Sequence, residues 1–164
     1  VHEHLSNLGK KGFIKRSYDG NIRELEITDF EYPRSPNGVE VSVLGFIAAG
    51  LPLEPYTDPN ATLNIPGNFA SSKKRVYVLQ VKGDSMIEEQ IRDGDFVVIE
   101  QTEKAANGDI VVALLNNGMA TLKRFFKEES RIRLEPANSN MNPMFVRSVR
   151  IQGKGVGLIR KYRN

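Results

Sequence analysis

The first 27 residues show a pattern of apolar and polar positions that predicts the end of a helix followed by a β-hairpin. Apolar positions at residues 2–8 fit the last turns of a helix, and the Gly and Lys residues at 9–12 form a stop signal. Residues 13–16 and 22–27 predict two strands joined by the tight-turn pair Asp19-Gly20. A helix followed by a two-stranded ribbon is the back half of a winged helix. Such pieces are common, so this one alone says little about DNA binding.

From residue 41 onward, short apolar segments alternate with turn residues such as Asn116-Asn117-Gly118. The segments predict strands at 41–47, 75–81, 96–99, 110–115, 119–126, 131–134 and 155–160. Strands at this spacing favour a compact, antiparallel, barrel-like domain.

The prolines divide the chain. Six of the eight lie between Pro33 and Pro66, which excludes a long helix there. We therefore predict an α+β fold with three parts: a partial winged helix-turn-helix domain at residues 1–28, a linker at 29–40 and a β-rich domain at 41–164.

Composition narrows the possible chemistry. No apolar run among the 164 residues approaches the ~20 that a membrane span needs, so we expect no membrane partner. The chain has no Cys, and its two histidines are His2 and His4. This excludes disulfides and thiolate sites and argues against a Ser-His-Asp triad, so we expect no metal and no cofactor. Because the chain begins with Val1, we expect a trimmed or partly ordered chain.

Charge is distributed unevenly along the chain. The net charge is +3, and beyond Glu135 six basic residues follow without an acidic one. This basic tail can meet an acidic partner, but a solvated edge fits the pattern equally well.

Ser85, within Gly83-Asp84-Ser85-Met86, is a candidate nucleophile. We expect it to open a short helix at 86–90, where free N–H groups and the partial positive charge of a helix start can hold an oxyanion. A Ser at this position is usually a helix cap, and the motif alone favours that interpretation.

Lys123, within a predicted strand, is a candidate general base for Ser85. An edge-strand Lys usually lies in water, and a Lys with a pKa of ~10.4 is almost fully charged at pH 7. Desolvation that brings the pKa to ~7–8 leaves about a tenth or more of the amine neutral. The pair therefore requires an apolar pocket, and its activity should rise with pH. Residues that can help to build the pocket are Val81, Met86, Leu122 and Phe125.

Residues 45–52 combine small and apolar side chains, and Pro52 keeps them from forming a helix. The pattern fits a strand that ends in a tight turn. It equally fits a peptide bond that lies in a narrow cleft.

Five short motifs occur in one order along the chain: Ala49-Gly50, Gly83-x-Ser85-Met86, Arg92-Asp93-Gly94-Asp95, Asn107-Gly108-Asp109 and Thr121-Leu122-Lys123-Arg124. In this order and approximate spacing they resemble the LexA repressor family, self-cleaving transcriptional repressors of the bacterial SOS response. The resemblance covers nearly the whole chain and implies that residues 41–164 form a LexA-like peptidase and dimerisation domain.

The resemblance implies specific roles. Ser85 would be the nucleophile, Lys123 the general base, and Ala49–Gly50 the bond that the chain cuts in itself. The backbone N–H groups of Asp84 and Ser85 would bind the oxyanion. The cleavage loop would swing between docked and undocked positions, and the RecA–single-stranded DNA filament would favour the docked one.

The resemblance also implies a homodimer in the bacterial cytoplasm that binds palindromic operator DNA. The front of the helix-turn-helix is absent from the sequence, so the remaining candidates for DNA contact are few. They are His2 and His4 on the helix end, and Lys15, Arg16, Ser17 and Arg23 in or near the wing. We expect the C-terminal strand at 156–159 to contribute to the dimer contact.

Other functions remain open at this point. A UmuD-type accessory protein of an error-prone polymerase shares the cleavage domain but lacks a winged helix. A phage-type repressor shares it with an all-helical N-terminal domain. A DNA-binding module with a non-catalytic β-domain would not cut itself.

Overall fold

The computed structural model describes the backbone of residues 14–19 and 22–27 and, in full, residues 38–49, 51–69 and 74–162. The chain divides into two compact units, residues 1–36 and 37–164. The division falls within the predicted linker at 29–40.

The first unit contains an antiparallel hairpin of β1 (Ile14–Asp19) and β2 (Ile22–Ile27). The hairpin predicted from the sequence is present, with a first strand that runs further than expected. The candidate DNA-contacting residues on it are Lys15, Arg16 and Ser17 on β1 and Arg23 on β2. The predicted helix at 2–8, with His2 and His4, lies outside the described residues, so the winged-helix remnant stays a prediction.

The second unit contains ten strands in one sheet. They are β3 (Gly38–Ala48), β4 (Glu54–Pro55), β5 (Thr62–Pro66), β6 (Val76–Lys82), β7 (Phe96–Glu100), β8 (Ile110–Leu114), β9 (Ala120–Lys127), β10 (Ile132–Glu135), β11 (Met144–Val146) and β12 (Arg150–Ile159). The strand order is β11-β10-β9-β8-β12-β7-β6-β3-β4, with β5 also on β3. Among the described strands, β3 and β6 form the one parallel pair. A mainly antiparallel β domain is therefore confirmed.

Strand β7 shows how the sequence builds the core. Val97 and Ile99 pack into one apolar cluster, whereas Phe96 and Val98, on the opposite face, pack into another. A strand with a core on both faces has no polar face, which explains the continuous apolar run at 96–99.

Several elements differ from the prediction. Strands β4 and β11 were missed because they have two and three residues, and β5 was missed because most of its five residues are exposed. The helix expected at 86–90 is a single 3-10 turn, Ile87–Glu89. None of the helices in the described residues has the length and apolar character to cross a membrane.

The predicted C-terminal strand is longer than expected, and its two halves have different neighbours. Residues 150–154 of β12 pair with β8, and 154–159 pair with β7. The segment at 156–159, expected at a dimer contact, therefore already has a hydrogen-bonded neighbour within its own sheet.

Asp95 is a carboxylate that the fold buries to 1% exposure and pairs with Arg160. Arg160 Nε and Nη2 each donate to it at 2.7 Å, and the Arg92 N–H donates at 2.7 Å. The hydrogen bonds from Arg160 hold the pKa of Asp95 below its usual range. Arg160, the residue after β12, also donates to the Gln90 carbonyl at 2.8 Å, which links the end of β12 to the turn after residues 87–89.

We expect the substitution Arg160→Gln to lower the free energy of unfolding at pH 7, because it leaves a buried carboxylate without its cation. A depressed carboxyl pKa contributes stability above its unfolded value and loses it as pH falls. The difference in the free energy of unfolding between wild type and variant should therefore narrow below about pH 4. Urea unfolding of both proteins at several pH values measures this difference. Arg150→Gln, at an exposed position at the start of β12, is the matched control.

Candidate active site

Ser85 and Lys123 lie side by side although 38 residues separate them in the chain. Ser85 follows β6 in a turn, and Lys123 is in the first half of β9. The Lys123 amine, Nζ, lies 3.0 Å from Ser85 Oγ and donates to the Leu122 carbonyl at 3.0 Å. The two side chains named as a candidate pair are thus within hydrogen-bond distance.

Lys123 is buried, with 5% of its surface exposed. Its strand begins with four consecutive buried residues, so water is excluded from both faces there. Burial lowers the pKa of Lys123 from 10.5 to about 8. Desolvation penalises the ammonium form and leaves a useful fraction of neutral amine near neutral pH.

Of the four apolar residues expected to build the pocket, three pack into one cluster. Val81, Met86 and Leu122 pack together in one buried cluster. Phe125 belongs to a separate cluster with Val111 and other residues. Strand β9 is buried on both faces, and its residues Leu122 and Phe125 pack into different clusters.

The turn that carries Ser85 is shaped by loop contacts. Gly83 has a φ of 90°, a conformation that favours glycine, and its N–H donates to Asp93 Oδ1 at 2.7 Å. The Asp84 carbonyl accepts from the Ile87 N–H at 3.1 Å. A 3-10 turn of three residues has little macrodipole, so the dipole expected for a helix at 86–90 is largely absent.

A second loop, residues 136–141, lies against the Ser85 turn. Its Ala137 carbonyl accepts from the Glu88 N–H at 2.7 Å, and the Ser139 N–H donates to Glu88 Oε1 at 2.8 Å. Asn138 Nδ2 donates to the Asp84 carbonyl at 3.1 Å. Sequence reasoning missed this loop, because 51 and 54 positions separate the partners of its side-chain hydrogen bonds and only the fold brings them together.

The segment that contains Ala49 passes between the strands that lead to Ser85 and Lys123. Ala48 is in register with Lys82, three residues before Ser85. Leu51 forms a bridge with Ala120, three residues before Lys123, and its carbonyl accepts from the Ala120 N–H at 3.0 Å.

The chain turns back within this segment, because the Leu51 N–H donates to the Ala48 carbonyl at 3.4 Å. Ala49 is exposed, and Gly50 lies outside the described residues.

This arrangement can perform nucleophilic chemistry without a cofactor. A neutral amine within hydrogen-bond distance of a hydroxyl can remove its proton, and the hydroxyl can then attack a carbonyl. Among the described residues, no group of three or more His, Asp or Glu side chains is placed to hold a metal ion.

Comparison with known proteins gives a consistent result. Residues 42–156 match the family model described as Peptidase S24-like. The chain is 42% identical to a LexA repressor of Geobacillus sp. strain WCH70 over 163 residues, covering 98% of this chain and 78% of that protein. It is 41% identical to a LexA repressor of Clostridium kluyveri, covering 99% and 78%, and 44% identical to one of Clostridium botulinum, covering 99% and 79%.

We expect Lys123 to make stability depend on pH. Its folded pKa of about 8 lies below the 10.5 of an exposed Lys, so between these values the unfolded chain binds more protons. The free energy of unfolding should therefore rise with pH across this window, by about 3 kcal/mol from this group.

The substitution Lys123→Met removes that titration. Urea unfolding of wild type and variant from pH 7 to 10.5 gives the free energy of unfolding of each protein at each pH. Subtracting one from the other cancels the contribution of the other titrating groups. Lys127→Met, at an exposed position on the same strand, should leave the pH dependence unchanged.

Proposed function

The chain belongs to the LexA repressor family, and on this basis we propose that it is a transcriptional repressor of DNA-damage genes that inactivates itself by cutting its own chain at Ala49–Gly50. The observation that carries the chemistry is the buried Lys123 amine 3.0 Å from Ser85 Oγ.

The reaction begins with proton transfer. The lone pair of the neutral Lys123 amine takes the proton of the Ser85 hydroxyl over the 3.0 Å between them. Ser85 Oγ attacks the carbonyl carbon of Ala49, and the carbonyl oxygen becomes an oxyanion. The N–H groups of Asp84 and Ser85 stabilise this oxyanion.

The intermediate then breaks down. The Lys123 ammonium returns its proton to the departing amine of Gly50, which leaves Ala49 esterified to Ser85. Water, activated by the same amine, hydrolyses the ester and regenerates the hydroxyl. Two fragments result, residues 1–49 and 50–164.

The segment around the bond is held at both ends. Ala48 lies beside β6 and Leu51 beside β9, so the chain between them passes near the ends of the strands that lead to the two reacting groups. A tethered substrate reacts readily once it is in place, so the docked population governs the rate. A RecA–single-stranded DNA filament accelerates the reaction by favouring that docked population.

Repression requires DNA binding by the first unit and dimerisation by the second. Residues 1–28 act as the partial winged-helix domain and 41–164 as the peptidase and dimerisation domain. The linker expected at 29–40 is shortened by the start of β3 at Gly38. His2, His4, Lys15, Arg16, Ser17 and Arg23 contact operator phosphates.

The relatives favour a repressor over a UmuD-type accessory protein. The LexA repressors match 98–99% of this chain, including the hairpin of β1 and β2 that precedes the peptidase domain. A non-catalytic β-domain would not need a buried amine beside a serine.

We expect the purified chain to cut itself at mildly alkaline pH. Because only the neutral amine of Lys123 is active, the rate should rise about tenfold per pH unit below 8 and level off above it. Incubation from pH 6 to 10, with intact-mass analysis, measures the rate and identifies the fragments 1–49 and 50–164.

Two pairs of variants test the assignments. Ser85→Ala and Lys123→Ala should abolish cleavage, whereas Ser148→Ala and Lys127→Ala, at exposed positions, should not change it. Cleavage of Lys123→Ala at the wild-type rate would refute the dyad. Fragments with other masses would refute the assigned bond.

A further inference from the structure

We propose, resting on the self-cleavage above, that Asn138 is a positioning residue whose side-chain amide orients the Asp84–Ser85 peptide group so that the Ser85 N–H can bind the oxyanion. Asn138 Nδ2 donates to the Asp84 carbonyl oxygen at 3.1 Å. Asn138 is 8% exposed, among the few buried polar residues that the structure describes.

Peptide geometry links this hydrogen bond to the Ser85 N–H. In a planar trans peptide the C=O and the following N–H point in opposite directions. The described residues contain no cis peptide bond. A donor that fixes the Asp84 carbonyl therefore fixes the direction of the Ser85 N–H, on the same residue as the attacking hydroxyl.

The Ser85 turn makes few hydrogen bonds of its own that would hold the Asp84–Ser85 peptide group. Across the described part of the chain, the N–H groups of Asp84 and Ser85 donate to no other residue, so both are available to an oxyanion. The 3-10 turn Ile87–Glu89 contributes only the Ile87 N–H to the Asp84 carbonyl. Asn138 supplies a second, independent donor to the same oxygen.

Asn138 is itself held in one orientation. Its Oδ1 accepts from the Asn140 N–H at 3.0 Å, and its carbonyl accepts from the Met141 N–H at 3.0 Å. Because Oδ1 faces a donor, Nδ2 must face the Asp84 carbonyl, which assigns the amide without ambiguity. The loop thus presents one N–H donor to the peptide in front of Ser85.

Two substitutions at Asn138 separate orientation of the peptide from folding of the loop. Asn138→Asp has nearly the same shape and can still accept from the Asn140 N–H, but its carboxylate cannot donate to Asp84. Asn138→Ala loses both contacts. Asn107→Ala is the matched control, because Asn107 Oδ1 accepts from the Lys127 N–H at 2.7 Å, at the far end of β9 from Lys123.

The experiment measures the self-cleavage rate of all four proteins from pH 6 to 10, and thermal unfolding shows that each is folded. We expect Asn138→Asp and Asn138→Ala to lower the alkaline plateau rate by about 10- to 100-fold, since loss of a full oxyanion donor costs about 10²–10³-fold. Asn107→Ala should retain the wild-type plateau.

The pH midpoint of the rate profile separates an effect on the Lys123 amine from an effect on oxyanion binding. Any influence of the new carboxylate on the Lys123 amine shifts the midpoint, whereas loss of oxyanion binding lowers the plateau. A wild-type plateau in Asn138→Asp, with a reduced one in Asn138→Ala, would mean that Asn138 only folds its loop. A wild-type chain that does not cut itself would overturn the proposed function, and this inference with it.

Discussion

The burial of the Lys123 amine sets both the reactivity of the candidate site and a free-energy cost of folding in the second unit. Lys123 lies in a strand whose first four residues are all buried, and its pKa falls to about 8 because water cannot solvate the ammonium form there. An exposed Lys would be protonated at neutral pH and could not accept a proton from Ser85. The same burial that keeps part of the amine neutral and able to react therefore also opposes folding whenever the amine is charged.

The Ser85 turn is positioned by its neighbours. A longer helix after Ser85 would have aligned several peptide dipoles toward the hydroxyl, but the chain forms one 3-10 turn. Its shape instead comes from Asp93, which accepts from Gly83, and from the loop at 136–141. The shape of the turn therefore depends on contacts between loops that are far apart in the chain.

Much of this fold could be predicted from the sequence, for local reasons. Apolar runs such as 96–99 and turn residues such as Asn116-Asn117-Gly118 specify strands and hairpins without reference to the rest of the chain. The edge strands β4 and β11 could not be predicted, because they have two and three residues and pairing alone defines them.

The candidate site was likewise predicted only in part. Ser85 and Lys123 were identified by residue type and by resemblance to a family, but their 3.0 Å separation depends on the register of β9 and could not be read from spacing. Asn138 carried no signal, since an Asn in a polar loop is usually a turn residue.

The pairing of β3 with its neighbours bears on the fate of the two fragments once the chain is cut after Ala49. Strand β3, residues 38–48, would then belong to the shorter fragment, yet it pairs with β4, β5 and β6 of the longer one. Val41, Val43 and Ile47 on β3 are buried in the core. Breaking the covalent bond would thus leave a nicked but assembled sheet. The fragments would part only when β3 is extracted from its neighbours, so strand release would be a step separate from the chemistry.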